Sequence, residues 1–158
     1  IVPWKQSVAL VHNDSGRYED RWVEVKFDAI SPCVWTRNLD MLSLPVRHGE
    51  GKLVASLDSI GEIEAAHLGV ARYAKRGENG NFDQDTVPYP ANPNGSLNNF
   101  AGLCDPSGQV LGLMPHPEAF LYRYHHPSWR NIEMQQQADL NDGALQLFRN
   151  AVNYSAAN

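Results

Sequence analysis

Cysteine is scarce in this 158-residue sequence: Cys33 and Cys104 are the only two, and they form no CxxC pair. A disulfide-stapled scaffold is thereby excluded, and a reducing compartment, by default the cytoplasm, is expected. Long apolar runs are missing too, and the mean hydropathy is −0.43, so no membrane span is expected. Basic residues are outnumbered, with 13 Lys and Arg against 18 Asp and Glu for a net charge of −5. They are scattered singly, which leaves no stripe for a phosphate backbone and argues against nucleic acid as a partner. Neither a G-x-G-x-x-G turn nor a Walker A loop occurs, so nucleotide binding through those motifs is out. His116-Pro117-Glu118 matches the H-x-E half of a zinc-deaminase signature, yet no cysteine follows Cys104 to supply its P-C-x-x-C half. His12, His48, His67, His125 and His126 lack the spacing of a zinc helix with a partner carboxylate. No metal site is expected. Asn13-Asp14-Ser15, Asn94-Gly95-Ser96 and Asn153-Tyr154-Ser155 match a glycosylation sequon but read as ordinary turn or surface residues.

What remains is the composition of one globular unit, 42% hydrophobic and 20% charged, with no linker, repeat or low-complexity stretch. Residues 1–158 therefore read as one domain portion. The sequence opens on Ile1 with strand-like sequence close behind, and the natural chain is expected to extend upstream. Ser7–Val11 is a short apolar run, and Trp22–Phe27 alternates, with Val23, Val25 and Phe27 on one side. Both predict strands, as do Leu42–Val46 and Lys52–Ala55 on either side of the compact Arg47–Gly51 loop. Ser59 with Glu62 is a capping-box pattern that predicts a helix to about His67, followed by alternation to Ala74. Lys75–Asn99, rich in Gly, Asn, Asp and Pro, reads as a long surface excursion. Phe100–Cys104 and Val110–Met114 are apolar runs joined by Asp105-Pro106-Ser107-Gly108, a hairpin signature. Ala144, Leu145, Phe148, Ala151 and Val152 recur at helical spacing after an Asn141-Asp142 cap. A mixed α/β or α+β chain follows.

The sharpest local feature is Met114-Pro115-His116-Pro117-Glu118 at a strand end. Each proline pushes the residue before it into extended backbone, so His116 and Glu118, two apart, are expected on one side of a stiffened loop. A carboxylate there fixes the imidazole tautomer, which gives a general base with its orienter. The alternative on these five residues alone is a strand-end histidine near a solvated glutamate. A nucleophile is not evident. Cys33 lies between Pro32 and Val34-Trp35, too bulky for a strained elbow, and Cys104 leads into a hairpin.

Four stretches, in order, resemble the glutaminase of phosphoribosylformylglycinamidine synthase: Asn13-Asp14-Ser15-Gly16-Arg17-Tyr18-Glu19 with Arg21-Trp22-Val23, Leu44–Gly51, Ala91-Asn92-Pro93-Asn94-Gly95-Ser96, and Met114–Glu118. The resemblance implies a class I glutamine amidotransferase fold, flavodoxin-like, an open α/β sheet with helices on both faces. The first strands and the nucleophile elbow would lie outside residues 1–158. It further implies a Cys-His-Glu triad in which His116 is the histidine and Glu118 the glutamate, with the cysteine upstream of the Asn13 motif. His48-Gly49-Glu50-Gly51 resembles the family's HGEG loop, which implies that His48 and Glu50 border the glutamine pocket; a tight turn with His48 bonded locally is the other reading.

The function implied is hydrolysis of glutamine, with the ammonia passed to a synthetase subunit or domain of the same enzyme. No cofactor is expected in this domain, and ATP and Mg are expected in the synthetase. The residues 1–158 by themselves are expected to hydrolyse little or no glutamine. The alternative is a non-catalytic docking module for a synthetase. Arg17, Glu19 and Arg21 read as a solvated face, with contact to the synthetase partner as the alternative, and the aromatic stretch Phe120–Arg130 as a partner surface or loop cover.

Overall fold

A computed structural model describes residues 6–76, 82–83, 87–130 and 134–157. The strands are β1 (Val8–His12), β2 (Glu19–Phe27), β3 (Met41–His48), β4 (Glu50–Ala55), β5 (Ala71–Arg76), β6 (Phe82–Asp83), β7 (Phe100–Cys104) and β8 (Leu111–Leu113); the helices are α1 (Leu57–Ala65) and α2 (Met134–Ala157). The main sheet runs β3-β2-β5-β7-β8, with β6 paired to β5, while β1 and β4 form a separate two-stranded ribbon. Every described pairing is antiparallel. The α/β class expected from the sequence is the class found.

Alternation on β2 buries Glu19, Val23, Val25 and Phe27 on one face and leaves Trp22, half-buried, on the other. Leu44 and Val46 of β3 and Tyr73 of β5 meet them in the core. The α1 cap differs from the expectation: the Ser59 amide donates to Ser56 Oγ at 3.2 Å, so Ser56 caps the helix. α2 begins seven residues before the expected Asn141 cap. Among residues 144–157 of this helix the buried side chains are Ala144 and Leu147, whereas Phe148 and Val152 are exposed. Asn150 fastens this helix by donating to the carbonyls of Trp35 and Arg37 at 2.9 and 2.7 Å. No described helix is long and apolar enough to cross a membrane.

The sheet is curled, and the curl places the site. β3 and β8 lie at opposite ends of the strand order. Yet the Met114 amide donates to the Ala101 carbonyl at 2.9 Å and the His116 amide to the Pro45 carbonyl at 2.8 Å. The three residues that leave β8 therefore bridge from β7 to β3. Pro45 suits this position because β3 is an edge strand: its carbonyl points away from β2, and so does the nitrogen that carries no proton.

Candidate active site

His116 Nδ1 and Glu118 Oε1 are 2.6 Å apart. They meet by a different backbone route from the extended one expected. His116 has φ −106° and ψ 85°, and Pro117–Ala119 is a single 3-10 turn closed by the Ala119 amide on the His116 carbonyl. The carboxylate thus folds back onto the imidazole. With Nδ1–H donated to Glu118, the Nε2 lone pair is left able to accept a proton. Both side chains are open to solvent, 38% and 62% exposed. They border a cleft of about 390 Å³ walled by Trp35, Leu113, Leu147 and Phe148.

His48, at the end of β3, comes to His116, with the ring centroids 6.5 Å apart. Burial lowers its pKa, the neighbouring His116 adds to that, and Asn94 and Glu19 oppose it. The Asn94 amide accepts from Tyr73 Oη at 2.6 Å and donates one hydrogen to Asn13 Oδ1 at 2.7 Å, which leaves it a second N–H. Both His48 ring nitrogens are buried without a hydrogen-bond partner among the described residues. Burial thus favours the neutral form of His48 beside His116. Glu50 goes elsewhere. Its exposed carboxylate lies 3.4 Å from His12 Nδ1, on the β1–β4 ribbon.

Three of the four motif stretches, around Asn13, His48–Gly51 and Asn92–Ser96, knit into one buried polar network behind His48. Asn13 Nδ2 donates to the carbonyls of Arg17 and His48, both at 2.8 Å. Asn92 Oδ1 accepts from the amides of Gly95 and Ser96, each at 3.1 Å. Ser96 Oγ donates to the Gly51 carbonyl at 3.2 Å and accepts from the Leu53 amide at 3.1 Å. Asn92, Asn94 and Ser96 are buried. This part of Lys75–Asn99 is thus interior rather than a surface excursion, because side-chain amides take up backbone groups that no ladder reaches. Asn13 and Asn94 are likewise buried rather than surface turn residues. Residues 77–81 and 84–86 of that stretch lie outside the described residues.

Glu19 corrects the expectation of a solvated face: it is 2% exposed, ion-paired to Arg21 at 2.5 Å, and accepts from Ser15 Oγ at 2.5 Å. The phase of β2 carried the signal, since Glu19 shares the face of Val23, Val25 and Phe27. Asn94 stands in the sequence only as one member of the Ala91–Ser96 stretch and Gly51 only as a loop glycine, and nothing in hydrophobic patterning gives either its place behind His48. Cys33 and Cys104 are free and buried, and burial pushes the Cys104 thiol up. Among the described residues no three His, Cys, Asp or Glu side chains converge as a metal cage would require.

The chain matches the family described as the CobB/CobQ-like glutamine amidotransferase domain over residues 1–155. It is 38% identical to the phosphoribosylformylglycinamidine synthase subunit PurQ of Dehalococcoides mccartyi over 150 residues, which are 95% of this chain and 54% of that protein. It is 36% identical to the phosphoribosylformylglycinamidine synthase of Homo sapiens over 156 residues, 97% of this chain and 11% of the human one. The chain therefore spans about half the length of the PurQ relatives it matches. A solved structure described as PurLQS from Thermotoga maritima shares the fold, with a TM-score of 0.58 at 24% identity, covering 95% of this chain and 53% of that one. With three of its four motifs gathered around one buried network and the family match running nearly end to end, the chain belongs to the CobB/CobQ-like glutamine amidotransferase domain family.

Proposed function

We propose that these residues are the C-terminal portion of a class I glutamine amidotransferase domain that hydrolyses glutamine and supplies ammonia for formylglycinamidine ribonucleotide synthesis in the cytoplasm. The observation that carries the reading is the 2.6 Å contact between His116 and Glu118, found in a chain whose relatives are phosphoribosylformylglycinamidine synthases.

In the proposed reaction a cysteine thiol outside residues 1–158 gives its proton to His116 Nε2 and attacks the side-chain amide carbon of glutamine. Glu118 holds Nδ1–H and stabilises the imidazolium that forms. Collapse of the tetrahedral adduct breaks the C–N bond, and His116 returns the proton to the departing ammonia. Water, deprotonated by the same imidazole, then cleaves the thioester to glutamate. Glu50 would reach the α-ammonium group only after leaving His12. ATP and Mg are required in the synthetase that consumes the ammonia, not here.

The test is to treat the full-length protein with an electrophilic glutamine analogue and map the adduct. Glutamine-protected labelling of a cysteine outside residues 1–158, with glutamine hydrolysis reduced at least about a hundredfold by His116→Asn, is the expected result. An adduct on Cys33 or Cys104, or an undiminished His116→Asn variant, would overturn the assignment.

A further inference from the structure

The main sheet ends on β8 with half of that strand's backbone groups turned outward. β8 pairs with β7 and closes the strand order. The Asp105 amide donates to the Val110 carbonyl at 3.1 Å and the Met114 amide to the Ala101 carbonyl at 2.9 Å, with Gly112 opposite Leu103 between them. Residues 110, 112 and 114 therefore turn their backbone groups to β7, and antiparallel alternation turns those of Leu111 and Leu113 away from it. Among the described residues no strand takes them up. β1 likewise pairs with β4 alone.

Both open strands border one apolar groove. It holds about 420 Å³ and is walled by Val8 and Leu10 of β1, Leu103 of β7, Val110, and Gly112 and Leu113 of β8. Asp105 is the one charged residue among the described residues that line it. Its carboxylate is engaged locally, accepting from the amides of Ser107 and Val110 at 3.1 and 2.9 Å. Leu10 and Val110 are 53% and 66% exposed. A Cβ on residue 112 would meet nothing nearer than the Leu103 carbonyl oxygen at 3.9 Å, so another backbone has room to approach β8 there.

An open apolar strand edge is a hazard that folded proteins cover, and the cover that satisfies Leu111 and Leu113 is another strand. The outward backbone groups call for a ladder, and the groove beside them calls for apolar side chains on one face of the incoming strand. Residues 1–158 span about half the length of their PurQ relatives. In the longer protein proposed above the remainder is tethered to these residues, and tethering gives it an effective concentration on the order of mM that a second copy or a separate partner lacks. The free edge also runs by way of Met114 and Pro115 to His116, where the proposed reaction needs a thiol delivered.

We infer that the free edge of β8 receives a β-strand from the portion of the same polypeptide outside residues 1–158, and that the apolar face of this strand fills the groove against β1. This rests on the reading above that these residues are the C-terminal portion of a longer amidotransferase domain.

The experiment uses the full-length protein, with amide hydrogen exchange resolved residue by residue over β8 by NMR. Protection of the Leu111 and Leu113 amides is expected to fall within about tenfold of that of Gly112, since all three then sit in ladders. Exchange at Leu111 and Leu113 at least about a hundredfold faster than at Gly112 means an open edge and overturns the inference. Leu10→Lys/Val110→Lys is expected to lower the melting temperature by at least about 5 °C, because two charges are forced into a filled groove. An unchanged melting temperature in that variant overturns the inference too. Protection of Leu111 and Leu113 that fades on dilution assigns the edge to a second copy and likewise overturns it. Glutamine hydrolysis by a protein with an open β8 edge leaves the function reading standing without this inference. Protection at both amides in a protein that hydrolyses no glutamine supports the strand pairing and brings down the function reading alone.

Discussion

Gly51 lies so close to His48 that a Cβ on residue 51 would stand 2.4 Å from the imidazole Nε2 and 2.6 Å from Asn94 Nδ2. The second glycine of the His48–Gly51 loop is therefore there for space. Gly51→Ala is expected to push His48 off its position and to destabilise the fold by about 1–3 kcal/mol. Urea unfolding of the variant beside wild type measures it. An unchanged midpoint would show that the loop can give way.

Asn94 is the hub behind that loop. Asn94→Ala strips partners from Tyr73 Oη and Asn13 Oδ1, both buried, and each unsatisfied group costs about 1–3 kcal/mol. A loss on the order of 3 kcal/mol is expected. Adding Tyr73→Phe to Asn94→Ala should cost less than the two separate losses combined, because the orphaned hydroxyl is then gone. Equilibrium denaturation of the four proteins in the cycle decides it.

Stability should fall as the pH drops through 6.5. Burial lowers the pKa of both His48 and His126 from that ordinary value, so between 6.5 and the folded-state pKa the unfolded chain binds more protons. The stabilisation is full above pH 6.5 and is lost as pH falls through the folded-state values. For His126 the geometry agrees, since its Nδ1 accepts the Ser128 amide and cannot do so when protonated. Denaturation midpoints between pH 7.5 and about 5, where carboxylates begin to titrate, should decline in wild type. The decline should be shallower in His48→Gln/His126→Gln.

Thiol chemistry should separate the folded from the unfolded chain. Cys33 and Cys104 are buried and unpaired, and a raised Cys104 pKa leaves less of the reactive thiolate. A chromogenic disulfide reagent should label both slowly in native buffer and both promptly in concentrated guanidinium. Fast labelling of the native protein would mean that the core opens around them.

Strand alternation and apolar runs placed β2, β3, β4, β7 and β8 close to where they lie, because a sheet residue needs only to know which way its neighbours face. Glu19 follows the same rule, and its burial could have been taken from the β2 phase. The α2 stripe was harder. Phe148 and Val152 are at helical spacing with Ala144, yet the buried face passes through Ala144 and Leu147 and leaves Phe148 at the mouth of the cleft. Which stripe of a helix is covered depends on what it packs against.

The sequence by itself put His116 and Glu118 two apart in a proline-stiffened loop and pointed to the family through four ordered motifs, whereas the 3-10 turn that folds the carboxylate back onto the imidazole was decided by the structure. Only the tertiary structure decided that His48 stands beside His116 while Glu50 turns away to His12. Nor could the sequence place Asn13, Gly51 and Asn94, far apart along the chain, in one hydrogen-bonded knot. Both depend on the curl of the sheet and on long-range contacts that no local pattern encodes, because hydrophobic periodicity specifies which faces are buried but not how two distant edges close on each other.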